Sequence, residues 1–197
     1  MEQEIHLENG ENVDNENVID DITIITDYKD FDSTNLEFED PVLENQVYYC
    51  KIKKPILIQT PFVDVMKSFY ECKNKLLMNI SLRNKEFSDL ILEIDKRIIS
   101  IIQLQFMKWF QKRITFESIL ETFLPTKLYT TDIESFMILT VPTLENDKIN
   151  IDIYDKNGNL IENTQEFKSC CCIIECNGIY LEKNKFYLNW KLVQLKI

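Results

Sequence analysis

Short runs in which apolar and polar residues alternate, or which are apolar throughout, predict a chain built mainly of β-strands. Three such runs, at 47–52, 55–60 and 75–82, lie in the first half of the chain. The others, at 136–141, 149–153, 167–176, 179–181 and 186–197, lie in the second half. In the last run Trp190 falls on the apolar side with its neighbours, whereas Tyr187 and Lys191 fall on the polar side. A period of two thus separates core from surface.

Between these two groups of strands the apolar spacing lengthens from two residues to three or four, which indicates a helix. The residues that keep this spacing are Phe87, Leu90, Ile91, Ile94, Ile98, Ile101 and Ile102. They predict one long helix over 86–113. A shorter helix is expected over 116–123, because Pro125 cannot continue it.

The resulting order is two or three strands, a long helix, and four or five strands of antiparallel type. It predicts an α+β fold over residues 46–197. Asp155 and Gly158 mark a hairpin turn, and Gly178 permits a bend. A five-stranded barrel of the OB type with an inserted helix satisfies this order and removes exposed strand edges. An open antiparallel sheet packed on the helix satisfies it equally.

Charge divides the chain in a way that its formal net charge of −11 conceals. Residues 1–45 contain 15 acidic residues and one basic residue, Lys29, whereas residues 46–197 contain 18 acidic and 21 basic residues. A local polyanion therefore precedes a domain with a net charge of +3. Because the domain itself is mildly basic, the total charge does not exclude nucleic-acid binding.

We expect residues 1–45 to be an acidic, mostly disordered tail, because so polar a segment buries too little surface to offset its ordering entropy. An apolar patch at 18–25 is compatible with a short docking strand. Further along, the acids alternate with Tyr28, Phe31, Leu36 and Phe38. That mixture is typical of a peptide ligand, although a merely solubilising tail has the same composition.

Six cysteines and no apolar signal segment indicate a reducing compartment, the cytosol or the nucleus, and free thiols. No run approaches the ~20 apolar residues that span a bilayer, so no membrane partner is expected. Cys170, Cys172 and Cys176 point to one side of a predicted strand, and Cys72 could add a fourth metal ligand. They lack the tight, glycine-containing knuckle usual in zinc sites. We interpret them as buried thiols and predict no metal.

The residue types that carry most enzyme chemistry are missing from residues 46–197. The single histidine, His6, lies in the acidic segment, so no cysteine or serine in the domain has a histidine as a base. Three glycines, Gly10, Gly158 and Gly178, cannot form a phosphate-binding loop. We therefore predict a protein that is not an enzyme, with no catalytic residues and no cofactor.

Basic and aromatic residues interleave in three places, as they do in proteins that bind single-stranded nucleic acid. Cations follow the phosphates, and aromatic rings stack on the bases. The candidate residues are Tyr48, Tyr49, Lys51, Lys53, Lys54, Trp109, Lys112, Arg113, Lys183, Lys185, Tyr187 and Lys191. Trp109 could equally be a core residue, and each cluster alone is compatible with an ordinary solvated surface.

The acidic tail suggests a way to regulate such a surface. A tethered polyanion imitates a nucleic-acid backbone, so it would occupy the basic groove until a strand displaces it. When displaced, it would be free to recruit basic partner proteins.

Three stretches of the chain resemble a family of uncharacterised proteins from large nucleocytoplasmic DNA viruses. They are KPILIQTP at 54–61, the helix end around Trp109, and the C-terminal GIY and WKLVQLKI segments. Members of such viral sets are similar to OB-fold single-stranded DNA-binding proteins of tailed phages. The resemblance implies a protein that coats single strands in replication or recombination at a viral replication site. It also implies viral replication or capsid proteins as partners, and a possible homo-oligomer. The alternative is a non-enzymatic structural or assembly protein of the virion.

Overall fold

The computed structural model describes residues 24–130, 134–145, 148–161, 167–182 and 184–197. Within these residues the chain forms ten strands, two α-helices and a short 3-10 helix at Ser33–Asn35. The strands are β1 Thr26–Asp27, β2 Val42–Glu44, β3 Val47–Gln59, β4 Val63–Cys72, β5 Lys75–Ser81, β6 Leu128–Tyr129, β7 Ser135–Val141, β8 Asp152–Tyr154, β9 Ser169–Glu182 and β10 Lys185–Lys196. The helices are α1 Lys85–Phe110 and α2 Phe116–Thr122. The prediction of an α+β fold rich in antiparallel strands with one long helix is confirmed.

The strands close into a barrel. β3 and β4 follow each other directly and pair in succession with β9, so they act as one long bent strand. β4 pairs with β5, β5 with β7, and β7 runs parallel to β10. β10 returns antiparallel to β9, which completes the ring. This order, first–second–third–fifth–fourth strand, is that of a Greek-key barrel of the OB type, and it excludes the open sheet.

Helix α1 is inserted between the second and third strands of the barrel. It begins at Lys85 because the Asn84 side chain accepts a hydrogen bond from the Phe87 backbone N–H. It ends at Phe110 because Gln111 takes a left-handed conformation with φ of 53°. Its apolar stripe is buried as predicted, with Phe106 edge-to-face against Phe186 of β10 at 6.1 Å. The helix therefore covers a part of the barrel that would otherwise expose apolar side chains.

A buried polar link joins α1 to the barrel. The Asp95 carboxylate accepts hydrogen bonds from the backbone N–H and the hydroxyl of Thr126, at 2.8 and 2.7 Å. The Thr126 hydroxyl in turn accepts a bond from Trp190 Nε1 at 3.2 Å. Burial raises the pKa of Asp95 to about 6, against the lowering effect of these hydrogen bonds. Helix, connecting loop and final strand are thus fixed to one another at this point.

Several predicted boundaries differ from the observed ones for a common reason, which is strand irregularity. The runs at 47–52 and 55–60 form the single strand β3, whose register shifts between Lys51 and Ile56 around Pro55. The runs on either side of Gly178 likewise form the single strand β9. β4 was missed because two register shifts between Val65 and Tyr70 interrupt its period of two. The alternation at 149–153 produces only the short strand β8.

The described part of the acidic segment, residues 24–45, lies against the barrel, whereas the sequence placed the end of a tail at residue 45. β1 and β2 pair with opposite ends of β3, and Phe38 bridges to Ile52 between them. Tyr28 is buried edge-to-face against Phe87 at 5.8 Å. The aromatic residues that suggested a peptide ligand thus anchor the segment to its own domain. The tail prediction for residues 1–23 falls outside the described residues.

The six cysteines all lie in described parts of the chain and are free thiols. None of the helices that the structure describes is long and apolar enough to cross a membrane.

Candidate nucleic-acid interface

Three tyrosines on adjacent strands form a row across one side of the barrel. In the strand register Tyr49 of β3 lies opposite Tyr180 of β9, and Tyr180 lies opposite Tyr187 of β10. The rings of Tyr49 and Tyr180 are 4.8 Å apart, and those of Tyr180 and Tyr187 are stacked at 5.5 Å with an interplanar angle of 14°. We call this row the tyrosine ladder, and the side of the three strands that carries it the outer face.

Glycine and a backbone carbonyl hold the first ring of the ladder in place. An ideal Cβ at Gly178 would overlap the Cys50 carbonyl oxygen and lie 2.6 Å from Tyr49 Cε2, so the ring of Tyr49 occupies the space above Gly178. The Tyr49 hydroxyl donates to the Asn177 carbonyl oxygen at 3.0 Å. Gly178 therefore permits close ring packing, at a point where the pairing of β9 with both β3 and β10 changes register.

The phenols of the ladder stay neutral over the physiological pH range. Burial raises the pKa of Tyr49 to about 12 and also raises those of Tyr180 and Tyr187. The carboxylates of Glu44 and Glu182 add to these upward shifts. Neutral rings present an apolar, π-electron surface and do not repel phosphate, as phenolates would.

Lysines follow the ladder on the same outer face because alternate strand residues share a side. Lys51 lies two residues after Tyr49, while Lys185 and Lys191 flank Tyr187 along β10. Among the described residues, Lys185 and Lys191 have no ion-pair partner, and Lys51 lies 3.8 Å from Glu39. Lys183 falls outside the described residues. The structure therefore unites much of the first and third predicted clusters.

The remaining candidates lie elsewhere. Tyr48 points to the opposite side of β3, where its ring meets Phe110 of α1 edge-to-face at 5.1 Å. Trp109 is half-buried beside Phe38, at 6.4 Å, and packs against the core. Lys112 and Arg113 are exposed just beyond α1, on the helix side of the sheet. The Lys/aromatic cluster of the helix end thus follows Phe110, which contacts the side of β3 that faces away from the ladder.

Acidic residues of the packed segment pair with some of the candidate lysines. Lys53 Nζ lies 2.9 Å from Glu37, and Lys54 is exposed in the irregular part of β3. Lys108 Nζ lies 2.7 Å from Asp40. The pairs of Glu37 and Glu39 with Lys53 and Lys51 reduce the positive potential along β3, and the pair of Asp40 with Lys108 reduces it near the end of α1.

Two features of the surface were not predicted from the sequence. Tyr180 is not among the predicted binding residues, because it lies between Ile179 and Leu181 in a run that is apolar on both faces. On β4, Lys67 Nζ lies 3.9 Å from the ring centroid of Tyr70, whose hydroxyl donates to Asn79 on β5 at 2.8 Å. OB barrels bind oligonucleotides on their second and third strands, which here are β5 and β7. The pair of Lys67 and Tyr70 was not predicted, because the irregular pairing of β4 interrupts its period of two.

The cysteines form no metal site in the part of the chain that the structure describes. Cys170 and Cys172 are buried side by side, with their sulfur atoms 3.5 Å apart. No group of three possible ligands occurs among the described residues. The hydrogen-bonded Cys170 thiol and burial keep the pKa of Cys172 well above its ordinary value, so this thiol remains protonated.

No family model matches the chain, and no curated protein matches its sequence. Among solved structures, the chain is similar to gp2.5, a single-stranded DNA-binding protein encoded by bacteriophage T7. The TM-score is 0.48 at 7% identity, covering 72% of this chain and 90% of that one. It is also similar to the single-stranded DNA-binding protein of bacteriophage Enc34 in complex with single-stranded DNA. There the TM-score is 0.47 at 10% identity, covering 83% and 94% of the two chains.

Proposed function

We propose that this protein is a non-enzymatic single-stranded DNA-binding protein that uses the outer face of β3, β9 and β10. The observation that carries the proposal is the tyrosine ladder with Lys185 and Lys191 on the same face, neither of which has an ion-pair partner among the described residues. Tyr49 and Tyr187, at the two ends of the ladder and held by Tyr180 between them, offer stacking surfaces for bases, while Lys51, Lys185 and Lys191 neutralise phosphates. Stacking on aromatic side chains contributes about 1–3 kcal/mol per base and requires bases that are not already paired.

The face suits a single strand better than a duplex. Its aromatic groups lie close to the sheet, so a base reaches them only if it is splayed from its neighbours. Within the described residues the outer face also carries carboxylates, such as Glu182 beside Tyr187, which weaken attraction to the densely charged duplex.

In its finer form, the proposal is that the protein coats single strands during replication or recombination of a large DNA virus, at the viral replication site. The acidic segment then acts as a competitor. Its Glu37, Glu39 and Asp40 already pair with Lys53, Lys51 and Lys108. Residues 1–23 add eight further acids and no Lys or Arg. A DNA strand that displaces these carboxylates can form ion pairs with the lysines that they release.

The binding test is a fluorescence titration of the full chain with oligo-dT, beside a duplex of the same length, at two salt concentrations. The Tyr180→Ala variant should bind oligo-dT about 5- to 150-fold more weakly, the size of one lost stacking contact, because Tyr49 and Tyr187 then lose the ring that positions them. Tyr129→Ala is the matched control, because Tyr129 is exposed, lies near Lys127, and belongs to β6, which pairs with β7 and not with a strand of the ladder. Equal affinities for all three proteins, or preference for the duplex, would reject the proposal.

Competition by the acidic segment is tested by removing its charges without changing its length. The triple variant Glu37→Gln, Glu39→Gln, Asp40→Asn should bind oligo-dT more tightly and with a steeper salt dependence. The control removes three exposed acids elsewhere, through Glu86→Gln, Glu145→Gln and Asp152→Asn. If both triple variants gain affinity equally, a general charge effect explains the result and local competition is wrong.

A further inference from the structure

A groove of about 260 Å³ runs along the second half of α1, between this helix and residues 36–38 of the packed acidic segment. On the helix side it is lined by residues that recur about once per turn, namely Arg97, Ile101, Leu104, Gln105 and Lys108. At about 1.5 Å per residue this stripe is about 16 Å long, which is the length of about five residues of extended chain. We call this feature the α1 groove.

Apolar side chains line the α1 groove from both sides. Leu36 and Phe38 come from the packed segment, and Leu104, which is 75% exposed, comes from α1. Trp109 also lines the groove, with its ring centroid 6.4 Å from that of Phe38. The groove therefore offers contact area to an apolar side chain that enters it.

Positive charge exceeds negative charge along the α1 groove. Lys53, Arg97 and Lys108 line it, against Glu37 among the described residues. Lys53 pairs with Glu37, and both side chains are more than half exposed. The same holds for the pair of Lys108 with Asp40. Ion pairs so exposed are weak, so the carboxylate of a ligand can replace either acid.

Arg97 supplies a hydrogen-bond donor that the fold itself does not use. Its Nη2 donates to the Thr34 carbonyl oxygen at 2.9 Å, which fixes the guanidinium group at the groove. Its Nε is buried and has no hydrogen-bond partner among the described residues. A buried donor without an acceptor is unfavourable, and a carboxylate is the acceptor that matches the planar guanidinium fork.

We propose that the α1 groove binds an acidic peptide segment of a partner protein. Charge complementarity supports this occupant, since the groove presents three basic residues and its own acids are held only in exposed pairs. About five extended residues fill its length. One carboxylate binds Arg97, a second lies beside Lys108, and an apolar side chain between them packs on Leu104.

Nucleic acid is a less suitable occupant of the α1 groove. The two aromatic rings that line it, Phe38 and Trp109, already pack edge-to-face on each other and against the core, and the other apolar groups are aliphatic. Bases bind through stacking on exposed ring faces. The inference does not depend on DNA binding, because Arg97 and Leu104 belong to α1 and not to the outer face.

The first test is a fluorescence anisotropy titration of the full chain with a labelled peptide, Gly-Asp-Leu-Ser-Leu-Asp-Gly. Its two carboxylates are about 13 Å apart when the peptide is extended. We expect saturable binding with a dissociation constant on the order of 10–100 µM, because so small an interface is weak. The same peptide with Asn in place of Asp should bind at least about tenfold more weakly.

Saturable binding would also show that the chain's own acids do not fill the groove, since the full chain contains residues 1–23 and a tethered occupant would exclude the probe. No saturation up to about 1 mM, or equal affinity for the two peptides, overturns the inference. Oligo-dT should not displace the labelled peptide. Displacement would identify nucleic acid as the occupant and would equally overturn it.

The second test asks whether the α1 groove is the binding site. Arg97→Ala and Arg97→Lys should each weaken peptide binding about tenfold or more, because lysine keeps the charge but lacks the Nε donor. Lys96→Ala removes the adjacent exposed cation of α1 and is the matched control, with wild-type affinity expected.

Leu104→Ser tests the apolar wall at a position too exposed to disturb folding, and it should also weaken peptide binding. Its control is Leu120→Ser on α2, where the side chain is 49% exposed. Wild-type affinity in Leu104→Ser or Arg97→Lys, or a loss of affinity in either control, contradicts the assignment. Arg97→Ala should keep wild-type affinity for oligo-dT, so failure of the peptide site and failure of DNA binding are distinguishable.

Discussion

The two faces of β3, β9 and β10 carry cross-strand triplets of similar composition in different surroundings. Tyr48, Leu181 and Phe186 lie opposite one another on the inner face, which packs against α1. The neighbouring residues Tyr49, Tyr180 and Tyr187 form the ladder on the outer face. A shift of one residue moves an aromatic side chain from the face packed against α1 to the outer face, although Tyr48 itself stays 37% exposed and the three ladder rings are half-buried. The presence of aromatic residues in a strand therefore predicts neither a core position nor a binding surface until the strand register is known.

The largest difference between the faces should appear in stability. Phe186→Ala removes a buried ring that contacts Phe106, and it should lower the free energy of unfolding by about 3–5 kcal/mol. Its outer neighbour provides the contrast, since Tyr187→Ala should cost only about 0.5–1.5 kcal/mol for the lost ring pair. Urea denaturation followed by circular dichroism measures both values. Equal losses would mean that the ladder is part of the core.

The buried Asp95 carboxyl group, hydrogen-bonded to Thr126, should give the free energy of unfolding a distinct pH dependence. Between the ordinary value of 3.8 and the folded pKa of about 6, the folded protein holds the Asp95 proton and the unfolded chain does not. Folding thus binds a proton in this window, so raising the pH through it lowers the free energy of unfolding, and the loss is complete above about pH 6. The size is on the order of 2–3 kcal/mol.

Asp95→Asn removes this titration, and the difference between the wild-type and variant stability curves isolates it from other carboxylates. Chemical denaturation at several pH values from 4 to 7 supplies both curves. If their difference is constant over that range, the carboxyl group does not carry the raised pKa.

At Gly178 the backbone of β9 passes close to two groups of β3, the Cys50 carbonyl oxygen and the Tyr49 ring. The methyl group of Gly178→Ala would push the Cys50 carbonyl oxygen and the Tyr49 ring away from β9. We expect this to lower the free energy of unfolding by about 1–3 kcal/mol. It should also weaken oligo-dT binding, since Tyr49 would leave its place in the ladder. Retained stability together with normal affinity would show that this close packing is dispensable. The comparison variant is Gly158→Ala, where a Cβ has free space but the φ of 85° is unfavourable.

The smallest effect is expected from removing a hydroxyl while keeping a ring. Tyr187→Phe loses only the long hydrogen bond to Glu182, at 3.4 Å, and preserves stacking on Tyr180. We expect a stability change below about 1 kcal/mol and an affinity for oligo-dT within about threefold of wild type. A large loss of affinity would mean that the phenol hydroxyl, rather than the ring, contacts the strand. The same titration used for Tyr180→Ala measures it.

Local periodicity predicted the elements that obey it and failed at those that do not. The stripe from Phe87 to Ile102 gave α1 to within a few residues, because burial of one helical face imposes its spacing. Shifts in register concealed β4 and divided β3 and β9 into apparent pieces. For the site, Lys51 and Tyr187 were identified as surface residues, whereas Tyr180 was missed in an apolar run. Whether Tyr48 or Tyr49 faced outward could not be decided, because both flank the same strand.

The amino-acid sequence by itself determined the fold class, the position of the long helix, and the separation of an acidic segment from a mildly basic domain. These features follow from local spacing and composition. Only the tertiary structure decided that the strands close into a barrel, that residues 24–45 pack along β3, and that three tyrosines distant in sequence stand in one row. The physical reason is that pairing between strands brings together residues about 130 positions apart, such as Tyr49 and Tyr180. The register of this pairing is not encoded in the local spacing of apolar and polar residues.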